Sequence, residues 1–223
     1  MRLSISVRMA GKFITIEGGD GAGKSTQLRL LVARLAGEGI AAVVTREPGG
    51  TPTAETIRKV LLSGKVKSLG AEAEALLFAA ARADHVDRLI RPALAAGEWV
   101  LCDRFFDSTR VYQGAIGGVD AGQLDALERV AVGRNRPDLT LMLDVPAEVG
   151  LSRVKARLEE SGGVPDRFES DEIDLQQRRR QAFLDIAAAN PGRCVIIDAN
   201  RDEGAVAEDI WRAVESRLIK QAA

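Results

Sequence analysis

The sequence predicts an α/β fold, a five-stranded parallel sheet with helices on both faces, and two observations carry that reading. Short β-branched and apolar runs at 12–17, 40–45, 98–102, 139–145 and 193–198 alternate with segments whose apolar residues recur at helical spacing. Between the first run and the first helical segment stands Gly18-Gly19-Asp20-Gly21-Ala22-Gly23-Lys24-Ser25, the phosphate-loop pattern G-x-x-x-x-G-K-[ST]. That pattern needs a strand before it and a helix after it, and it has both.

Taken in order, Lys12-Phe13-Ile14-Thr15-Ile16-Glu17 is the first strand, and the helix after the loop runs over about 24–36. The second strand ends at Arg46-Glu47-Pro48-Gly49-Gly50-Thr51, a tight turn whose Glu47–Pro48 bond the sequence leaves open as cis or trans. Helices follow at about 53–62 and 71–96. In the long one Leu76, Ala80, Ala83, Ile90 and Leu94 form the expected apolar stripe. Phe78 lies about 200° around from Leu76, with Arg82 one turn beyond it and His85 near the same face in a surface or capping role. The third strand leads into Asp103-Arg104-Phe105-Phe106-Asp107-Ser108, read as a loop. Helices at about 122–133, 147–159, 172–189 and 203–219 complete the chain.

Ligands in parallel sheets bind beyond the carboxyl ends of the strands, so the phosphate loop, the 46–51 turn and the 103–108 segment are expected to share one crevice. In such a loop the backbone N–H groups cradle phosphates, the lysine reaches the outer ones, and the serine is a Mg²⁺ ligand. Asp103 at a strand end suits Mg²⁺, and Arg104 beside it offers a phosphate-binding fork. Arg153 and Arg157 repeat like charge at i, i+4, which calls for an anion between them. Gly162, Gly163 and Pro165 then break the helix before Arg167, so the segment reads as an arginine-bearing lid. Closure over both substrates keeps water from the transferring phosphoryl group. Gly21 brings no cation to the loop, and the lid is the nearest source of one.

At 46% hydrophobic, 28% charged and net charge −1, the composition is that of a globular domain without the basic excess of a nucleic-acid binder. No apolar run is long enough to span a bilayer. Cys102 and Cys194 lack the spacing of a metal site and read as small buried hydrophobes of a reducing, cytoplasmic setting. One domain over 11–221, with the lid at about 153–169 and residues 1–10 as a disordered extension, is the simplest organisation. A GTPase needs a guanine-reading N-K-x-D segment, whereas Asn135 is followed by Arg136 and Pro137. A phosphate-loop protein with a different second ligand would keep the loop and Asp103-Arg104 without needing Phe78, Arg82, Thr109 and Tyr112 together.

With these residues assembled, the chain resembles the bacterial thymidylate kinases over nearly all of 11–219. The marks are the 13–26 loop segment, Thr45 to Thr51, Leu77-Phe78 with Ala81-Arg82, and Asp103-Arg104 followed by Ser108-Thr109 and Tyr112-Gln113-Gly114. Pro137 to Leu141 and Asp144-Val145 complete the set. The resemblance implies the phosphate-loop NTPase fold with strand order 2-3-1-4-5 and a short lid, phosphorylation of dTMP to dTDP by ATP with Mg²⁺, and a two-fold homodimer built from the long-helix region. It implies that Gly18, Gly19, Asp20, Gly21, Ala22, Gly23, Lys24, Ser25 and Thr26 hold ATP, with Ser25 and Asp103 managing Mg²⁺. Asp20 would also hold the dTMP 3′-hydroxyl. Phe78 would stack on thymine, Arg82 would bond its O4 edge, and Thr109 and Gln113 would approach the base beside Ser108. Tyr112 would pack near C2′, and Arg104 would grip the dTMP phosphate. Lys24, Arg104 and a lid arginine would be catalytic, Arg157 first, Arg153 next and Arg167 in reserve. Some relatives carry a phosphate-binding arginine where this chain has Gly50, which leaves Arg46 as the available substitute.

Overall fold

Successive residues of the third strand face opposite ways, and each face has its own core. In the computed structural model, which describes residues 11–64, 66–161 and 172–220, Trp99 and Leu101 enter one hydrophobic cluster and Val100 and Cys102 the other. All four are essentially inaccessible to solvent. A strand buried on both faces is apolar throughout, which is why the runs did not alternate in sequence.

The strands are β1 Phe13–Gly18, β2 Ala42–Arg46, β3 Trp99–Asp103, β4 Leu139–Asp144 and β5 Cys194–Asp198. They pair in parallel in the order β2-β3-β1-β4-β5. The helices are α1 Lys24–Gly37, α2 Pro52–Leu62, α3 Gly70–His85, α4 Arg91–Ala95, α5 Phe106–Thr109, α6 Ala121–Ala131, α7 Ala147–Ser161, α8 Ile173–Ala189 and α9 Glu203–Val214. One core gathers Leu28, Leu31 and Leu35 of α1 with Ile210, Trp211 and Val214 of α9. The other gathers Phe13, Val86, Ile90, Phe105 and Phe106.

Three expectations change. The long helix is α3 and α4 joined by one π turn, Val86–Ile90, just ahead of Pro92, whose missing N–H and ring break the regular ladder. The expected stripe holds only in its second half: Ile90 is buried and Ala83 and Leu94 pack against the core, whereas Leu76 is 58% exposed and Ala80 is exposed, their place on α3 being taken by Ala75, Ala79 and Arg82. The segment after β3 is not wholly loop, because α5 begins at Phe106 and continues as a π segment, Arg110–Ile116. Cys102 and Cys194 are free thiols and buried, as expected. The expected extension at 1–10, the second half of the lid with Gly162, Gly163, Pro165 and Arg167, and the C-terminal boundary at 221 lie outside the described residues, while the N-terminal boundary at 11 lies within them.

Register brings the predicted loops together. Arg46 at the end of β2 pairs with Asp103 at the end of β3, and Asp103 in turn lies beside Ile16 of β1.

Candidate functional site

A single cleft of about 820 Å³ runs along this carboxyl edge, near the upper end of small-molecule sites. The loop residues Asp20 to Thr26 line one end, with Arg153, Arg157, Ala199 and Arg201. Phe78, Arg82, Thr109, Tyr112 and Gln113 line the other. Arg46, Asp103, Arg104 and Ser108 lie on the wall between them. Gly18 and Gly19 carry the chain from β1 into the loop, and their carbonyls face the lysine.

The loop is backbone chemistry. Gly21 and Gly23 have φ of 73° and 86°, in the left-handed region that favours glycine. Gly21 has a second reason: a Cβ there would run into the Gly150 carbonyl of α7. An arginine at 21 therefore has no room, and α7 with Arg153 and Arg157 packs where it would stand. No side chain caps α1, so its first N–H groups point into the cleft, at the positive end of the helix dipole. Lys24 folds back to donate to the carbonyls of Gly18 (3.1 Å) and Gly19 (2.8 Å). Burial, followed by the nearby Arg104 guanidinium, pulls its ammonium down to about 8, against the opposing pull of Asp103, Asp20 and Glu17. Ser25 Oγ donates to Asp103 Oδ2 at 3.1 Å. Asp103 Oδ1 is buried and has no hydrogen-bond partner. An unsatisfied carboxylate oxygen beside a serine hydroxyl at the loop suits a hard, water-bearing cation (no cluster of three or more metal-ligating side chains exists among the described residues).

Arg104 is the one non-glycine residue with positive φ among the described residues, at 65°. Its side chain donates to Asp20 Oδ1 at 2.6 Å, Ser108 Oγ at 3.1 Å and the Gly18 carbonyl at 3.2 Å, and its guanidinium lies 5.4 Å from the Tyr112 ring centre. Behind it, Glu17 is fully buried and accepts from Phe105 N–H (2.7 Å) and from Ser108 Oγ (2.7 Å) and N–H (3.3 Å). Burial, reinforced by Asp107, pushes the Glu17 carboxyl up to about 7. Glu17 thus pins the turn that aims Arg104 by capping the start of α5.

Phe78 is half-buried on the cleft wall. Arg82, one turn on, is only 4% exposed, and Glu47 fixes it through Nε at 2.7 Å. The Arg82 Nη2 donates to Thr109 Oγ1 at 3.1 Å. His85 is not at the surface: it is fully buried, with Nδ1 3.0 Å from the Glu47 Oε1 and Nε2 2.7 Å from the Thr45 hydroxyl. A carboxylate only accepts, so Nδ1 carries a proton. Arg46 stands on the rim, 57% exposed and paired with Glu55 at 3.2 Å. Arg58, unremarked in the sequence, reaches the cleft from α2 and donates to the Pro48 carbonyl at 2.8 Å. The Glu47–Pro48 bond is cis.

On α7, Arg153 donates to the carbonyls of Gly21 (3.4 Å) and Ala199 (3.2 Å), and Arg157 is exposed at the cleft. The run Arg178-Arg179-Arg180 divides. Arg179 is buried with its guanidinium 4.6 Å from the Tyr112 ring centre, while Arg180 forks onto Asp144 at 2.6 and 2.8 Å. Tyr112 Oη reaches Asp20 at 3.4 Å.

Fold and cleft together define a phosphate-loop nucleotide-binding protein with room for a second ligand beside the loop. A thymidylate kinase family model matches residues 16–210. The chain is 57% identical over 209 residues to a thymidylate kinase of Nitrobacter winogradskyi, covering 94% of this chain and 90% of that one. It is 56% identical over 219 residues to one of Rhodopseudomonas palustris, covering 98% and 94%. Among solved structures, the thymidylate kinase of Ehrlichia chaffeensis superposes with a TM-score of 0.74 at 34% identity, covering 92% of this chain and 99% of that one. The chain belongs to the thymidylate kinase family.

Proposed function

We propose that the cleft seats ATP and dTMP head to head, and that this chain carries out its family's reaction, ATP-dependent phosphorylation of dTMP to dTDP. The observation that carries the reading is the continuity of one cleft from the phosphate loop to the Phe78–Arg82 wall. The loop N–H groups and Lys24 hold the β- and γ-phosphates. Ser25 and Asp103 hold Mg²⁺, which when bound neutralises charge on the transferring group. Phe78 stacks on thymine, Arg82 donates to its O4, and Tyr112 packs near C2′. Asp20 holds the 3′-hydroxyl. Thr109, Gln113 and Ser108 complete the acceptor wall.

Phosphoryl transfer needs positioning and charge neutralisation more than covalent help from the protein. Arg104, set by Asp20, Ser108 and Glu17, grips the dTMP phosphate in line with the donor. Arg157, with Arg153 second, supplies the cation that Gly21 cannot. Arg46 assists the acceptor phosphate from the rim.

We also propose a homodimer built from the long-helix region, supported by the exposure of Leu76 on α3 (58%), Val60 on α2 (45%) and Leu69 in the turn between them (68%). We place the protein in the cytoplasm, in keeping with its two free buried thiols. Among the described residues no helix is long and apolar enough to cross a membrane.

A coupled assay with ATP and a panel of dTMP, dCMP, dGMP and AMP tests the reaction. A clear preference for dTMP is expected, and equal use of the others overturns it. Light scattering in solution tests the dimer: a monomeric mass at micromolar concentration overturns it.

A further inference from the structure

Glu74, Phe78 and Arg82 stand at i, i+4 and i+8 on one face of α3. Two of the three have the roles already proposed. Glu74 does not line the cleft, yet it is a carboxylate only 8% exposed. A buried carboxylate is costly unless hydrogen-bonded, and among its contacts is the side chain of Gln113, itself 2% exposed, whose Nε2 donates to Glu74 Oε2 at 3.2 Å. Gln113 does line the cleft.

The consequence follows from donor and acceptor chemistry. An amide has one donating end and one accepting end, and an ionised carboxylate only accepts. Glu74 therefore claims the NH₂ end, and the oxygen, Oε1, is the end left for the cleft. Arg82, fixed from behind by Glu47, has only donors to offer. The wall thus presents a donor from α3 and an acceptor from the segment after α5. Thymine and uracil carry the complement on adjacent ring positions, an accepting O4 and a donating N3–H. Cytosine carries the reverse, an amino donor at C4 and an accepting N3, and mismatches both.

We infer that Glu74 is a positioning residue that locks the Gln113 amide with its oxygen toward the acceptor base, and so makes the cleft select pyrimidines bearing N3–H over cytosine. This rests on the acceptor reading proposed above, and it assigns the discrimination to a residue that touches no substrate. Glu47 and Glu74 act in parallel: each is a buried carboxylate that holds one group on the wall, Glu47 the position of Arg82 and Glu74 the polarity of Gln113.

The test is the ratio of kcat/KM for dTMP, dUMP and dCMP in wild type and in Glu74→Gln. A glutamine at 74 can offer either end, so Gln113 is freed to turn. The dTMP-to-dCMP ratio is expected to fall at least about tenfold, through KM more than kcat, while dTMP-to-dUMP holds. The exchanged pair, Glu74→Gln with Gln113→Glu, again places only acceptors toward the base and is expected to restore most of the preference. Equal losses for all three acceptors, or an unchanged ratio, overturn the inference. Should Glu74→Gln fail to fold, glutamine-¹⁵N-labelled wild type decides it. Gln113 side-chain amide protons that stay hydrogen-bonded with and without dTMP support the lock, and an amide that turns over on dTMP binding overturns it. A wild type that does not prefer dTMP defeats the underlying reading instead.

Discussion

The two ends of the cleft are built on different principles. The loop end is built around one continuous piece of chain, residues 18–26, which offers backbone N–H groups, Lys24 and Ser25, and to which α7 adds Arg153 and Arg157. The other end is assembled from side chains of the β2 turn, α3 and the segment after α5, held by the buried carboxylates Glu47 and Glu74, while Glu17 sets the wall between the two. The first is mostly local geometry, whereas the orientation of Arg82 and of Gln113 is set by groups brought in from elsewhere in the fold.

The largest effect is expected where the local end has its one buried cation. Lys24→Ala should lower turnover by about a thousandfold or more while leaving circular dichroism and melting behaviour near wild type. Near-normal steady-state turnover would remove the loop lysine from the mechanism. Next comes the cation brought to that end by α7. Arg157→Ala should lower kcat by on the order of a thousandfold with little change in the KM for dTMP, since the contact forms in the transition state. A raised KM at constant kcat would assign the role to Arg153 or Arg167.

The base end breaks differently, through stability as well as activity. Glu47→Ala strands Arg82 and His85 in the core and should cost about 3–5 kcal/mol in urea unfolding, with weaker dTMP binding. A loss under about 1 kcal/mol would mean water replaces the carboxylate. Glu17 gives a pH signature. Burial raises its carboxyl from an ordinary 4.5 to about 7, so between those values the folded state binds more protons than the unfolded. Stability from this group is full below pH 4.5, falls as pH rises toward 7, and is flat beyond. The slope is at most about 1.4 kcal/mol per pH unit. Denaturation of wild type against Glu17→Gln at pH 5 and pH 7 measures it; a gap that does not change with pH removes the effect. The smallest effect belongs to the rim. Arg46→Ala breaks an exposed pair with Glu55 and should change stability by less than about 1 kcal/mol, with a modest rise in the KM for dTMP; an effect as large as that of Glu47→Ala would move Arg46 into the core of the site.

The same contrast explains what could be read from sequence. The phosphate loop was legible because all its parts are neighbours in the chain. The strand order came with the family resemblance, and the convergence of three loops on one edge follows from parallel topology. The Arg82–Glu47–His85 cluster was not legible, because its members are 35 and 38 residues apart and each looks ordinary alone. His85 was misplaced to the surface for that reason. Helix periodicity failed twice, both times for a physical cause. On α3 the buried face is filled by alanines and an arginine, so the large Leu76 drew the stripe to the wrong side. After β3, the π segment shifts the spacing of its buried positions away from the 3.6-residue period. Glu74 was visible only as one more helix acid; the contact to Gln113, 39 residues away, gave it meaning.

Gly50 shows how tightly two distant choices are tied. Its φ is 88°, and a Cβ there would press on the His85 ring and the Thr45 hydroxyl. The arginine that some family members carry at this point therefore cannot be grafted onto this chain by itself. The imidazole has to be exchanged for something smaller first and the turn rebuilt, so any redesign of phosphate recognition here must begin a whole helix away, at position 85.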